Sequence, residues 1–145
     1  NLEKEPEIIL EEEEKREVIR PQMRISVPQK NLGKFKEVLL YILNKVGSKS
    51  NIGETVIYKL LYFIDFDFYE KYEEQLIGAT YMKNKYGPTP VEFKKIVDKM
   101  SKDKEIEKVK SNFFAYPQTK YLPLRKPDLS KLKANEIEVI DDVIL

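Results

Sequence analysis

The sequence predicts a mainly helical α+β domain, a bundle of helices around a central helix at about 54–73 with a small antiparallel sheet or hairpin beside it. Two observations carry that expectation. Apolar residues recur at spacings of three and four along two long stretches, 32–46 and 54–73. Short β-prone runs bounded by turn residues then follow at 76–84, 106–114 and 120–125. At 145 residues the chain has the size of one domain.

The elements follow in order. Residues 1–20 hold eight Glu and four Lys/Arg, with Glu11 to Glu14 in one run. Such a block repels itself and stays solvated, so 1–30 reads as an acidic linker or arm. Ile8, Ile9, Leu10, Val18 and Ile19 leave room in it for a short helix or strand. The arm carries a net −4, which leaves +5 for the rest of a chain of net charge +1. Docking of the arm on the basic domain, or on a partner, is the alternative to a linker. Arg20-Pro21 marks a break, and the alternation from Met23 to Val27 suits a short edge strand.

Asn31 can cap a helix whose apolar face is Leu32, Phe35, Val38, Leu39, Ile42, Leu43 and Val46, and Gly47 ends it. The helix at 54–73 is apolar around much of its circumference, which predicts central burial. A strand at 76–84 leads into Tyr86-Gly87-Pro88-Thr89-Pro90. Thr89 as N-cap, Pro90 at the first helical position and Glu92 three residues on predict a capping box for a helix at 90–101. Strands at 106–114 and 120–125 form a hairpin whose loop is 115–119, with Pro123 pointing to an edge. Asp128 or Ser130 opens a last helix, with Leu132, Ile137, Ile140, Val143 and Ile144 apolar. The pattern stops inside that apolar run and the chain lacks an initiating Met, so the expectation is a fragment of a longer protein.

Composition excludes several chemistries. There is no Cys, hence no disulfide, thiolate zinc site or thiol nucleophile. There is no His, so Ser-His-Asp and Cys-His catalysis are absent from this chain. No run approaches the length of apolar sequence that a membrane span needs. Asp65 and Asp67 are two residues apart, so a helix turns them about 200° from each other and they cannot act as a pair. Together with Glu70 they could contribute to a magnesium site, but nothing in the sequence fixes their geometry. A buried Asp65 must be hydrogen-bonded. Lys59 and Tyr62 are the candidate neighbours, although Lys59, six residues away, faces elsewhere. Gly47 to Gly53 makes no phosphate loop. The expectation is that the chain is not an enzyme and holds no cofactor or metal.

Two binding readings remain. Lysines of the second half, such as Lys83, Lys94, Lys99, Lys108 and Lys120, are interleaved with aromatic residues, a pattern that can bind single-stranded nucleic acid. Asp98, Asp103, Glu105, Glu107 and Asp128 interrupt it, and committed nucleic-acid domains are more basic. The hairpin 106–125 carries Phe113, Phe114, Tyr116 and Tyr121. If exposed, they form a protein-binding patch; if folded back, they are core.

Tyr58-Lys59-Leu60-Leu61-Tyr62-Phe63-Ile64-Asp65, a strand some fifteen residues later and Lys85-Tyr86-Gly87-Pro88-Thr89-Pro90 together resemble the Panacea domain, the antitoxin domain of the SocA-like family. The resemblance covers about 32–145. It implies a mainly helical fold with a small antiparallel sheet. It implies a cytoplasmic role in a bacterial or phage toxin–antitoxin system, neutralising a cognate protein toxin by direct binding. Some members instead act as adaptors that deliver a toxin to a protease. Many carry an extra, often DNA-binding, N-terminal domain, and the acidic arm would be the linker to it. DNA would then be contacted only through that domain. A homo-oligomer is allowed. The family's His-containing C-terminal segment has no counterpart, so the domain at 31–145 is expected to be truncated. In this reading Lys59, Leu60, Leu61, Tyr62, Asp65, Tyr86, Gly87 and Pro88 are the frame, and the hairpin aromatics are candidate partner contacts.

Overall fold

The computed structural model describes residues 8–9 and 29–145. The expected strand at 23–27 lies outside the described residues, as does the acidic arm at 1–30 apart from Ile8, Ile9, Gln29 and Lys30, the last two of which open α1. The order of elements is β1 (Ile8–Ile9), α1 (Gln29–Val46), α2 (Glu54–Tyr72), β2 (Tyr81–Asn84), β3 (Gly87–Pro90), α3 (Phe93–Lys102), β4 (Ile106–Phe113), β5 (Tyr116–Pro123) and α4 (Ala134–Ile144). A 3-10 turn, Leu129–Lys131, precedes α4. This is the expected mainly helical α+β architecture.

The period of three and four located α1 well, but the helix begins at Gln29, so Asn31 falls inside the first turn and is not its cap. It buries Phe35, Val38, Leu39, Leu40, Tyr41, Ile42, Leu43 and Val46. It stops at Gly47, whose N–H donates to the Leu43 carbonyl at 2.9 Å. A Cβ at residue 47 would lie 2.6 Å from that oxygen, so the turn requires glycine. In α2, Ile57, Leu61, Tyr62, Ile64 and Phe68 are buried, while Phe63 is 48% exposed. The more continuous buried surface therefore belongs to α1. Both helices pack against α4.

The first sheet has the order β1-β2-β3, with β1 parallel and β3 antiparallel to β2. Here the structure corrects the expected capping box. Thr89 and Pro90 are strand residues, and helix α3 starts only at Phe93. Thr89 precedes a proline, which disfavours the helical backbone there. Pro88 and Pro90 lie opposite Lys83 and Tyr81. Lacking N–H groups, they occupy the positions of an antiparallel pair that exchange no hydrogen bonds. The Val91 N–H donating to the Thr80 carbonyl at 2.8 Å fits that register.

The expected strand at 76–84 shrinks to 81–84 because 77–80 bonds elsewhere, as described below. The second hairpin strand starts earlier than expected: residues 116–119 belong to β5, and the loop is the two residues Phe114 and Ala115. The last helix starts later than Asp128 or Ser130. Those residues instead form the 3-10 turn, with the Asp128 carboxylate accepting the Ser130 N–H at 3.1 Å.

Phe93 is the hub where elements meet. Its ring lies 6.5 Å from Phe35 of α1, 4.9 Å from Tyr58 of α2 and 5.6 Å from Tyr121 of β5. The latter two are edge-on, the arrangement that ring quadrupoles favour. One position before Phe35 on α1, Lys34 pairs with the buried Glu136 at 2.7 Å, and Glu136 also accepts the Lys133 N–H at 2.8 Å. One carboxylate thus caps α4 and ties it to α1. Among the described residues no helix is long and apolar enough to cross a membrane.

Candidate functional site

The helix α2 motif and the Tyr86-Gly87-Pro88 turn meet through the segment between them. Asp65, 3% exposed, reaches from α2 to residues 77–81. Its carboxylate accepts the N–H groups of Ile77 at 2.7 Å, Gly78 at 3.2 Å and Ala79 at 3.3 Å, and the Tyr81 hydroxyl at 2.7 Å. That hydroxyl also lies 3.0 Å from the Leu61 carbonyl. Glu92 takes the next amide, Thr80 N–H, at 3.1 Å. Two carboxylates therefore hold a buried stretch whose amides have left the sheet, which is why β2 is short. Burial pushes the Asp65 carboxyl upward, and the Tyr81 hydroxyl and the three amides pull it back. Burial, then the Asp65 charge, pushes Tyr81 well above the ordinary phenol range.

Sequence reasoning gave Asp65 the neighbours Lys59 or Tyr62, and the structure gives it neither as a hydrogen-bond partner. Tyr62 packs edge-on against the Tyr81 ring, 5.3 Å away. Lys59 is exposed and runs along the turn: a Cβ at Gly87 would meet Lys59 Cε at 3.6 Å. Leu61 is fully buried and Leu60 packs partly against the core. Tyr86 is 69% exposed, so the motif's frame role does not extend to that ring. Gly87 has φ +121°, a backbone that L residues rarely adopt. Gly87→Ala is expected to cost about 1–3 kcal/mol from backbone strain rather than crowding, read as a lower midpoint in urea.

Asp65, Asp67 and Glu70 do not converge. Asp65 is enclosed by its four donors, Asp67 lies near Lys71 and Asp142, and Glu70 is exposed on the helix surface.

The hairpin is fastened at its base and free at its tip. Lys120 is buried and donates to the carbonyls of Lys49 at 2.7 Å and Ile52 at 3.0 Å, and burial lowers its pKa. Gln118 donates to the Ser50 carbonyl at 2.6 Å. The α1–α2 loop is thereby clamped by two β5 side chains. Tyr121 was a candidate partner contact; the structure corrects this. It is 1% exposed, its ring packs on Phe93 and its hydroxyl donates to Glu54. It belongs to the core because the base of the ribbon lies against the helices.

The tip is different. Phe114 is 85% and Tyr116 74% exposed, and Phe113 is half-buried with its ring 4.6 Å from Phe114. Phe114 has φ +58° in a two-residue loop, a position where primed hairpin turns prefer Gly or Asn. Between the hairpin and the first turn of α2 runs a groove of about 680 Å³, lined by residues 53–56, 110–112 and 117–119.

The model of the SocA-like antitoxin family, Panacea domain, matches residues 57–145, from the second turn of α2 to the last residue. The chain belongs to this family. Searches of curated proteins and of solved structures return no match. The Panacea match takes in Asp65, its whole cradle at 77–81, the turn and the hairpin. It leaves out α1 and β1, although α1 supplies much of the core.

Reading the sequence missed Glu37 and Gln118, and it gave Glu92 to a helix cap and Lys120 and Arg125 to a basic surface. Arg125 forms paired bonds with Glu37 at 3.0 and 2.9 Å and also reaches Glu105 at 3.1 Å. The Asp128 N–H donates to Glu37 at 2.7 Å. Glu37 lies on α1 opposite the face of Phe35, Leu39 and Ile42, so the apolar period gave no sign that it is buried. Its partner 88 positions away was not readable locally.

Proposed function

We propose that this Panacea domain works by binding rather than catalysis, and that it neutralises a cognate protein toxin of a bacterial or phage system by direct contact through the hairpin tip. The observation that carries this reading is the pair Phe114 and Tyr116, both largely exposed on a hairpin whose base is anchored. Exposed aromatics on a rigid mount lose little freedom on binding and are the usual anchors of protein interfaces. The backbone of Phe114 supports it further. A non-glycine residue at positive φ costs of order 1–3 kcal/mol, and folding alone gives no reason to put an aromatic ring there. The rival nucleic-acid surface is weakened by the pairing of its lysines: Lys94 with Asp98 and Lys99 with Asp103.

The test uses the product of the reading frame adjacent to that of this chain. Combined Phe114→Ala and Tyr116→Ala is expected to lower affinity by about 100-fold, the scale of two anchor residues, with an unchanged melting temperature. Phe114→Gly should weaken binding yet stabilise the fold by about 0.5–1 kcal/mol through relief of the turn. Toxin binding that survives the double variant rules out the hairpin tip. Failure of the wild-type chain to bind that product or block its toxicity rules out toxin neutralisation.

A further inference from the structure

The outer edge of β2 has a defined hydrogen-bonding pattern. Because Pro88 and Pro90 face Lys83 and Tyr81, it is Met82 and Asn84 that exchange backbone bonds with Thr89 and Gly87 of β3. Tyr81 and Lys83 therefore turn their N–H and C=O groups away from β3. An open edge of this kind is a template for another strand. In this chain it is covered by β1, with Ile8 opposite Tyr81 and Ile9 opposite Met82 in parallel. In that register the Ile9 carbonyl receives the Lys83 N–H and the Ile9 N–H goes to the Tyr81 carbonyl.

Three features make this more than a sheet that happens to have a third strand. Among the described residues the pairing is two residues long. Nineteen residues of sequence separate Ile9 from α1, so the strand is covalently tethered to the domain through them. The charges are complementary: Glu7 and Glu11 to Glu14 flank the two isoleucines in sequence, while Lys83 and Lys85 are exposed on β2 and its turn.

We propose that the outer edge of β2 is a peptide-binding edge for an extended apolar strand flanked by acidic residues, and that the chain's own Ile8–Ile9 segment is its resident, removable occupant. Main-chain bonds to Tyr81 and Lys83 supply the attachment, and Lys83 and Lys85 select the acidic flanks. The tether keeps the strand at high local concentration. Another protein that uses this edge must displace it. The site is distinct from the hairpin tip and independent of the toxin reading.

Hydrogen exchange on the full chain tests this, because the amides of β2 report on different neighbours. Lys83 N–H should exchange at least about tenfold more slowly in the wild type than in Ile8→Pro, Ile9→Pro. Met82 and Asn84, held by β3, should be unaffected, which also shows that the variant is folded. A synthetic peptide of residues 1–20 added to the proline variant should restore Lys83 protection. It should do so less well at high salt, and less well when Lys83→Glu and Lys85→Glu are added. The proposal is overturned if Lys83 exchanges freely in the wild type, if the proline variant changes nothing, or if the peptide restores nothing. It is also overturned if wild-type protection disappears on dilution, since the strand would then come from a second copy.

Discussion

Asp65→Ala is expected to be the most damaging single change in the domain, lowering stability by about 4 kcal/mol or more. The substitution takes the carboxylate acceptor from three buried amides, while the Tyr81 hydroxyl keeps only the Leu61 carbonyl. A buried donor left without an acceptor costs about 1–3 kcal/mol. Their sum is a large part of the 5–15 kcal/mol that holds a domain of this size together. Tyr81→Phe removes only one of the four donors and should cost about 1–2 kcal/mol. Asp65→Asn should fall between them, because its carbonyl can still accept while its NH₂ faces donors. Urea unfolding of the three variants measures the series. A midpoint for Asp65→Ala close to that of wild type would mean that 77–81 is held by packing and not by the carboxylate.

The second large effect lies at Arg125, where α1, the start of β4 and the segment after β5 are joined. Arg125→Ala leaves Glu37, 3% exposed, with its charge and only the Asp128 amide. Breaking a fully buried pair costs about 3–5 kcal/mol. Arg125 is one-third exposed, so water softens the loss and about 2–3 kcal/mol is expected. The same site sets an acid limit. Burial alone would raise the Glu37 carboxyl, but the Arg125 hydrogen bond and the Asp128 amide outweigh it and hold it below its ordinary value of 4.5. A carboxylate with a lower pKa when folded adds stability at higher pH, which is lost as pH falls through that lowered value. The wild-type melting temperature should therefore drop below about pH 4.5. Glu37→Gln with Arg125→Met should flatten that part of the profile. An equally steep fall in the double variant would place the acid sensitivity elsewhere.

These two sites also show where local reading of the sequence stops. That Asp65 must be hydrogen-bonded followed from its place in an apolar helix. Which groups bond it did not, because its donors are backbone amides of a segment that reads as a strand. The Thr89-Pro90-Glu92 signature was a sound local signal for a helix start. It lost because Gly87–Pro90 pairs with β2 and Glu92 is drawn to the Thr80 amide. In the hairpin the aromatic positions were evident but their fates were not. Tyr116 and Tyr121 lie on one strand, one projecting and one enclosed, because only the base of the ribbon has helices to lie against.

The sequence by itself determined the fold class, the course of α1 and α2 and the family motif. It also removed cysteine and histidine chemistry. Each of these rests on composition or on a period of a few residues, and such periods survive in the folded chain because a helix buries whatever face is apolar. The tertiary structure alone decided which carboxylates hold the chain together, that Tyr121 is core while Phe114 and Tyr116 are surface, and that Ile8–Ile9 covers the edge of β2. The separations are 12 to 16 residues around Asp65 and 88 between Glu37 and Arg125. Over such distances no local pattern constrains the partner. A buried charge or an open strand edge is satisfied by whichever group the packing of the helices brings within reach.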